Sequence, residues 1–376
     1  MELTLTATCL FGLEKQLGEE IEALGYKKTE TIDGRVSFLA DRDGICRANI
    51  NLRLAERIYI RLGSFKAESF SALFDGVYAL AWEEWIGKND AFPVKGHSIK
   101  SKLFSVPDCQ KIIKKAVAKR LSDKYGISWF EETGTKYQIE FFILKDEAVL
   151  MIDTSGIPLH KRGYRTEANA APLRETLAAS LVLSSRPREN VLLWDPFAGS
   201  GTIAIEAAMI MSGTRPGVNR SFAAQGFAQI DKAAWERARE EAKDREHKTD
   251  FRAYASDIDE NCIEIARANA KRAGVEGLVD IFKCDARNIK KPDDMRGTIV
   301  TNPPYGERLM TVSEVEELYR SIGHTFKAMS PWQIYILSSA ENFERLYGCR
   351  ADKVKKLYNG MIPCYLYQYF KNSNKK

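Results

Sequence analysis

The chain has 376 residues, which is long enough for two or three domains that each bury a core. Its net charge is +5 and its pI about 8.6, an excess too small to indicate nucleic-acid binding by itself. The longest apolar runs are strand-sized and fall short of the ~20 residues of a membrane span. The N-terminus lacks the basic start of a signal peptide, so we expect a cytoplasmic protein without a membrane segment.

Cysteine and histidine are few and scattered along the chain. The seven Cys include no CxxC pair, and the four His share no spacing typical of metal ligands. We therefore expect neither a disulfide framework nor a structural metal. No feature of the sequence indicates an oligomeric state.

The first part of the chain alternates short strands and helices in an α+β pattern. Leu13, Leu17 and Ile21 recur at the spacing of one helix face. The predicted strands are 4–9, 28–31, 35–40 and 57–65, and the predicted helices are 12–24 and 42–54. We assign residues 1–65 to a first domain.

A second group of elements carries a local concentration of positive charge. The predicted elements are a helix at 69–79, a strand at 99–103, a helix at 108–124, and a strand at 137–144 within a strand-like run over 136–152. Between positions 95 and 124, nine Lys or Arg stand against two acids. Such a stripe suits a phosphate backbone, although a solvated helix face explains it equally well. The candidate phosphate contacts are Lys100, Lys102, Lys111, Lys114 and Lys115. We assign residues 66–155 to a second domain.

A segment rich in Gly, Pro and charge, residues 153–171, separates this region from the rest of the chain. We predict a linker at 156–171. Within it, the run HKRGYR ends at Arg165, which we take as a further candidate for nucleic-acid contact. The alternative is a charged linker without such a role.

From residue 172 onward the pattern is α/β, and we assign 172–376 to a third domain. Apolar runs alternate with amphipathic helices, which predicts a seven-stranded, mostly parallel sheet with helices on both faces. The predicted strands are 190–195, 251–257, 279–284, 298–302, 333–338, 353–358 and 362–370. Residues 213–250 interrupt the rhythm and are interpreted as an insertion, with a charged helix at 231–246 on the solvated surface.

The strongest functional signal is a set of four motifs, each at the end of a predicted strand. The first, DPFAGSG at 195–201, leads into a predicted helix at 202–211. Its glycines permit a tight turn and close approach of a ligand, and a helix N-terminus offers unpaired N–H groups. Alone, this turn is compatible with NAD, FAD, S-adenosylmethionine or no ligand, although the dinucleotide and P-loop fingerprints are absent. The candidate cofactor-binding residues here are Asp195, Pro196, Phe197, Ala198, Gly199, Gly201 and Thr202.

The second and third motifs supply acids at strand ends. Asp257 ends one strand, where a carboxylate can accept hydrogen bonds from both hydroxyls of a ribose, and Asp259 suits the cap of the next helix. Asp285 ends the following strand and can accept from an adenine amine, although an Asp at this position is more often a cap. We add the neighbouring Ile258 and Ala286 to the cofactor candidates.

The fourth motif is Asn302-Pro303-Pro304-Tyr305. Proline cannot donate to a sheet ladder, so the strand ends here and the carbonyls remain available as acceptors. With the Asn302 side-chain oxygen, they can hold both hydrogens of an NH2 group and aim its nitrogen at a methyl donor, while Tyr305 stacks on a base. Methyl transfer of this kind depends on positioning. We take these four residues as catalytic candidates, and Asn302 also as a cofactor candidate.

Together the motifs resemble those of class I methyltransferases that act on amines. PLRETLA at 172–178, SDID at 256–259 and NPPYGERL at 302–309 narrow the resemblance to the THUMP-domain RNA guanine-N2 methyltransferases, closest to the N-terminal half of a bacterial 23S rRNA methyltransferase. The resemblance covers nearly the whole chain. A second methyltransferase domain of the longer bacterial homologue is expected to be absent here.

The resemblance implies a ferredoxin-like domain, a THUMP RNA-binding domain and a class I (Rossmann-like) catalytic domain. It also implies S-adenosylmethionine as the cofactor and structured RNA as the partner, with N2-methylguanosine in 23S rRNA as the product. By resemblance, Asp257 binds the ribose, Asp285 the adenine, and Asn302 with Pro303 the target amine.

Three alternatives stay open. The RNA substrate can be tRNA instead of rRNA. A DNA adenine-N6 methyltransferase shares the NPPY motif, and only the N-terminal resemblance and the GERL extension at 306–309 speak against it. A non-catalytic RNA-binding or ribosome assembly factor would share the fold, although four intact motifs disfavour it.

Overall fold

The computed structural model describes residues 2–165, 173–305 and 311–370. Within these ranges the chain forms two seven-stranded sheets, one on each side of the segment 154–165. No helix in the described ranges is long and apolar enough to cross a membrane. The His, Cys, Asp and Glu side chains in the same ranges form no group of three or more that could hold a metal ion.

The first six elements confirm the predicted α+β pattern. Four of the six residues are buried in each of the strands Leu3–Thr8 and Arg35–Ala40. Asp41 caps the second helix by accepting a hydrogen bond from the Gly44 amide at 2.8 Å. The elements are β1 (Leu3–Thr8), α1 (Glu14–Ala23), β2 (Lys27–Ile32), β3 (Arg35–Ala40), α2 (Arg42–Asn51) and β4 (Arg57–Lys66).

The next elements correct two predictions. They are α3 (Phe70–Tyr78), β5 (Val94–Ile99), α4 (Val106–Tyr125), β6 (Ile139–Leu144) and β7 (Glu147–Asp153). The predicted strand at 99–103 is wrong: the strand ends at Ile99, and the chain turns at Lys100, whose φ is +49°. The run 136–152 is not one strand but the hairpin β6–β7, because Lys145 and Asp146 form a turn with positive φ.

One sheet spans both regions that were predicted as separate domains. Its strand order is β2-β3-β1-β4-β7-β6-β5. β4 pairs antiparallel with β1 on one side and with β7 on the other, so the ladder crosses position 65/66 without interruption. The division between residues 1–65 and 66–155 remains a proposal about domains.

The second sheet confirms the predicted mostly parallel fold, with all seven strands near their predicted positions. Its order is β10-β9-β8-β11-β12-β14-β13; the first five strands are parallel, and β14 is antiparallel to both neighbours. The strands are β8 (Leu192–Asp195), β9 (Ala253–Asp257), β10 (Val279–Lys283), β11 (Gly297–Thr301), β12 (Gln333–Ser338), β13 (Lys353–Asn359) and β14 (Ile362–Tyr369). The helices are α5 (Glu175–Ser185), α6 (Thr202–Met211), α7 (Lys232–Lys243), α8 (Glu260–Arg272), α9 (Val312–Ala328) and α10 (Phe343–Tyr347).

The insertion at 213–250 joins the two halves of the molecule. Its helix α7 packs against α2, with Trp235 and three alanines buried, so the expectation of a solvated helix is wrong. Two ion pairs flank the contact: Arg47 to Glu241 at 2.5 Å and Arg237 to Asp43 at 2.8 Å. The charged side chains of this helix therefore surround the buried contact between α7 and α2.

A buried ion cluster fastens α6 to the N-terminal half. The Glu206 carboxylate accepts hydrogen bonds from Arg53 Nη1 at 3.0 Å, Arg162 Nε at 3.4 Å and the Tyr164 hydroxyl at 3.2 Å. Both guanidinium groups and the carboxylate are buried. Because α6 begins at the DPFAGSG loop, this cluster fixes the loop relative to the first sheet.

Candidate functional site

The four predicted motifs lie along one edge of the second sheet. The loop 195–201 begins at the end of β8, Asp257 ends β9, Asp285 follows β10 and Asn302 follows β11. These strands are consecutive, parallel neighbours in the order β10-β9-β8-β11. Their carboxyl ends therefore bring the motifs into one row, at the edge where open α/β sheets bind ligands.

Glycine allows the loop between β8 and α6 to adopt its conformation. Gly199 and Gly201 have φ of +50° and +81°, in the left-handed region. A Cβ on Gly201 would lie 3.1 Å from that of Ala266 on α8, so the loop lies close against this helix. Gly201 is the N-cap of α6, and no side chain caps the helix. Its first N–H groups are thus available to an anionic or polar ligand group.

Two acids hold the loop in place. The buried Asp195 Oδ1 accepts from the Thr301 hydroxyl at 2.6 Å and from the Phe197 amide at 3.2 Å, which ties β8 to β11. Asp257 Oδ2 accepts from the Gly199 amide at 2.9 Å, and its Oδ1 accepts from the Asp259 amide at 3.1 Å. Each carboxylate oxygen has a further lone pair, so Asp257 can support the loop and still accept a ligand hydroxyl. Asp259 caps α8, as expected.

Burial raises the pKa of Asp195 to about 7, with a smaller contribution from the charge of Asp257. Below about pH 4 the carboxyl group is neutral in both the folded and the unfolded chain. As the pH rises from about 4 to 7, the unfolded chain ionises first, so the free energy of unfolding falls. Above about pH 7 the folded chain is ionised as well, and the free energy of unfolding falls no further.

The variant Asp195→Asn should lack this pH-dependent loss, because its amide oxygen accepts the same hydrogen bonds without ionising. The free energy of unfolding of the variant relative to wild type is expected to rise by about 2–3 kcal/mol between pH 5 and pH 8. Urea titrations of both proteins at the two pH values measure this difference. A difference that stays constant with pH would show that Asp195 ionises normally in the fold.

The third strand-end acid forms an ion pair with a side chain close to it in sequence. Asp285 caps the short 3-10 turn Ala286–Asn288 and forms an ion pair with Arg287, Oδ2 to Nη2 at 2.6 Å. The hydrogen bond from Arg287 holds the pKa of Asp285 below its usual range. The capping alternative is therefore what the structure shows, and the adenine contact of Asp285 stays a prediction. Ala286 is buried, whereas Ile258 is 59% exposed beside Asp257 and offers an apolar surface.

The tetrapeptide Asn302–Tyr305 contains a buried acceptor without a partner. Among the described residues, no donor reaches Asn302 Oδ1, which is shielded from solvent. The neighbouring groups are engaged: the Tyr319 hydroxyl donates to the Pro304 carbonyl at 2.9 Å, and Asn359 Nδ2 donates to the Tyr305 hydroxyl at 2.9 Å. Tyr305 thus lies against the β13–β14 hairpin, and its stacking on a base stays a prediction. The GERL segment at 306–309 lies outside the described residues.

The lysines predicted to contact phosphates differ in their exposure and in their ion pairs. Lys100 and Lys115 are exposed and have no ion pair among the described residues. Lys102 pairs with Glu68, and Lys111 lies 3.7 Å from Asp108. Exposed pairs such as these are weak and leave the side chains able to exchange partners.

The charged groups of Lys114 and Arg165 are engaged by other residues of the protein. Lys114 Nζ is 2.5 Å from Glu132 and lies over the Phe92 ring. Arg165 donates to the Thr202 hydroxyl at 3.2 Å and to Glu175 at 2.8 Å. Arg165 therefore lies at the start of α6, beside the loop 195–201, and its contact with nucleic acid stays a prediction.

Sequence reasoning missed two exposed aromatic residues beside this basic region. Phe104, just before α4, is 82% exposed, and Trp129, just after it, is 76% exposed. Both lie in loops, where neither helical nor strand periodicity marks a residue as buried or exposed. Their closeness in sequence to the lysine stripe was the available signal.

Comparison with protein families gives three matches along the chain. The family described as "RMKL-like, methyltransferase domain" matches residues 162–368. The "RlmL ferredoxin-like domain" matches residues 4–59, and the THUMP domain matches residues 67–153.

Individual relatives agree with these families. The chain is 43% identical to "Putative RNA methyltransferase YpsC" of Bacillus subtilis (strain 168), covering 98% of this chain and 96% of that protein. It is 31% identical to "Ribosomal RNA large subunit methyltransferase K/L" of Psychromonas ingrahamii, covering 95% of this chain but only 49% of that longer protein. The solved structure of SMU.472, "a putative methyltransferase complexed with SAH", is 39% identical, with a TM-score of 0.92 and coverage of 100% and 99%.

Proposed function

The chain belongs to the family of RMKL-like methyltransferases, and from this premise we propose that it uses S-adenosylmethionine to form N2-methylguanosine in large-subunit ribosomal RNA. The general assignment, a methyltransferase of the kind that acts on RNA, follows from the matched family and the relatives. The base, the methylated atom and the RNA are the proposed part. The resemblance of the N-terminal part to RNA-binding domains supports RNA as the substrate independently.

The unpartnered Asn302 Oδ1 is the observation that carries the proposal. A buried acceptor without a donor costs about 1–3 kcal/mol, so its retention favours a ligand that brings the donor. The amine of a nucleobase brings two N–H groups in one plane. Asn302 Oδ1 and the Pro303 carbonyl can accept one each, which orients the nitrogen for in-line attack.

The residues along the carboxyl edge of the second sheet fit S-adenosylmethionine. The demethylated product of this cofactor is bound in SMU.472. The uncapped start of α6 suits the carboxylate of its methionine part, Asp257 suits the ribose, and the exposed Ile258 suits the adenine ring. When bound, this cofactor supplies an electrophilic methyl group. The protein contributes the orientation of the amine and the exclusion of water around Asn302.

The N-terminal half supports RNA as the substrate. The THUMP match at 67–153 includes the lysine stripe and the exposed aromatic residues Phe104 and Trp129. Lysines bind phosphates irrespective of sequence, and aromatic side chains stack on unpaired bases. A guanine in a helix hides its amine in the minor groove, so it must leave the helix before reaching Asn302.

Reversing the charge of both free lysines, in Lys100→Glu/Lys115→Glu, should weaken RNA binding while leaving cofactor affinity unchanged. The dependence of log K on log salt is expected to flatten by about 1 for each lost phosphate contact. Fluorescence titrations with rRNA fragments at several salt concentrations measure the slope. The double variant Lys243→Glu/Lys248→Glu changes the net charge equally on another surface and serves as the control. Equal slopes for the two variants would remove this surface from the RNA interface.

The proposed function is tested by mapping modified nucleotides. Ribosomal RNA from cells without the protein should lack one N2-methylguanosine, and the purified protein with S-adenosylmethionine should restore it. Mass spectrometry of nuclease fragments locates the nucleotide. Loss of N2-methylguanosine from tRNA would correct the substrate, and transfer to adenine in DNA would overturn the proposal.

A further inference from the structure

The β13–β14 hairpin ends in a two-residue turn with an exposed apolar side chain. Asn359 pairs with Ile362 across the ladder, so only Gly360 and Met361 form the turn. Gly360 has φ of +65°, which matches the tight hairpin turn that takes glycine at its first central position. Met361 at the apex is 94% exposed. A two-residue turn of this kind places the methionine at the narrow end of the hairpin.

The tip is attached to the catalytic tetrapeptide. Asn359 Nδ2 donates to the Tyr305 hydroxyl at 2.9 Å, and Cys364 Sγ lies 3.8 Å from the same oxygen. From the other side, the Phe11 ring contacts Tyr358 edge-on, with 5.7 Å between ring centres. The hairpin is thus held both by the tetrapeptide and by the N-terminal half.

The strand that leads to the tip is basic and lies at the edge of the sheet. Lys353 and Lys356 on β13 are exposed, and no ion pair among the described residues includes either. Lys356 lies 5.5 Å from the centre of the Tyr358 ring. Single exposed apolar residues are common on protein surfaces. A turn that is hydrogen-bonded to the tetrapeptide, with the exposed Lys356 three residues before Asn359, is a more specific arrangement.

We propose that Met361 enters the RNA helix at the place that the target guanine leaves, while Lys356, the exposed lysine of β13 nearer the turn, contacts a nearby phosphate. This inference rests on the proposed function, because only extrusion brings a guanine amine to Asn302. Apolar side chains of proteins that unstack bases fill the gap in this way. The bond from Asn359 to Tyr305 places this wedge beside the pocket that receives the base.

The test compares two versions of the RNA fragment that contains the mapped guanosine, one with cytidine opposite the target and one with an abasic site. Met361→Ser should lower kcat/KM about tenfold on the paired RNA, and less than about twofold on the RNA whose target is already unpaired. Met361→Leu keeps an apolar tip and should retain most of the activity on both. Met295→Ser, which alters a partly exposed methionine just before β11, is the control for loss of an apolar side chain.

A second readout does not depend on which atom receives the methyl group. With 2-aminopurine at the target position, wild-type protein should raise the fluorescence of the paired RNA, and Met361→Ser should raise it much less. Equal fluorescence and equal kcat/KM on the paired RNA for wild type and Met361→Ser would overturn the wedge alone. A wild-type protein that forms no N2-methylguanosine on either RNA would overturn the proposed function instead.

Discussion

Asn302→Ala is expected to lower kcat for methyl transfer by about 10²–10³-fold, because the target amine loses the acceptor that orients it. Cofactor affinity should fall much less than the rate, since Asn302 is only one of the cofactor candidates and the loop 195–201 and Asp257 remain intact. Single-turnover assays with labelled S-adenosylmethionine measure the rate, and calorimetry measures the affinity. Asn302 Oδ1 has no partner among the described residues, so its removal breaks no hydrogen bond to that oxygen within them.

Two comparisons sharpen this expectation. Asn302→Asp keeps an oxygen acceptor at the same place and should retain more activity than the alanine variant. Asn288→Ala, an exposed amide in the turn that follows β10, should leave the rate near wild type. If Asn302→Ala transferred methyl groups at the wild-type rate, this side chain would have no role in positioning the amine.

Glu206→Ala is expected to lower the free energy of unfolding by about 3–5 kcal/mol. The substitution leaves the guanidinium groups of Arg53 and Arg162 buried without the carboxylate to which they donate, and it removes the acceptor of the Tyr164 hydroxyl. Because these groups join α6 to the N-terminal half, the interface should weaken first. Denaturant titration followed by tryptophan fluorescence measures the loss.

The matched control is Glu241→Ala, which breaks the pair with Arg47 between α7 and α2. Both partners of that pair are substantially exposed, so the expected loss is at most about 1 kcal/mol. The two variants remove the same chemical group from the same interface and differ in burial. Equal losses would show that the Glu206 cluster contributes no more than a surface pair.

The centre of the second sheet was predictable because the strands β8, β11 and β12 are buried on both faces. Such strands appear in the sequence as short apolar runs, and β12, QIYILS, is an example with five of its six residues buried. The polar motifs then stand out where each run ends. Parallel order brings those ends to one edge, so the row from Asp285 to Asn302 followed from local patterns alone.

Features that depend on distant partners were not predictable. β5, VKGHSI, has few apolar residues and is a strand because it pairs with β6, where Gly96 lies against Phe141. The two arginine partners of Glu206 stand 44 and 153 positions away, and no local pattern marks them. The pairing of Asp285 with Arg287 was within reach of the sequence, since the two are only two residues apart.

The ladder between β4 and β7 has a consequence for how the N-terminal half can be used. A fragment that began at residue 67 would lack β4 and leave β7 with a row of unpaired N–H and C=O groups. Open edges of this kind recruit strands from other molecules, so the fragment would tend to self-associate. The RNA-binding region and the residues before it therefore share one sheet, and a fragment that keeps β7 paired requires the chain from its first strand.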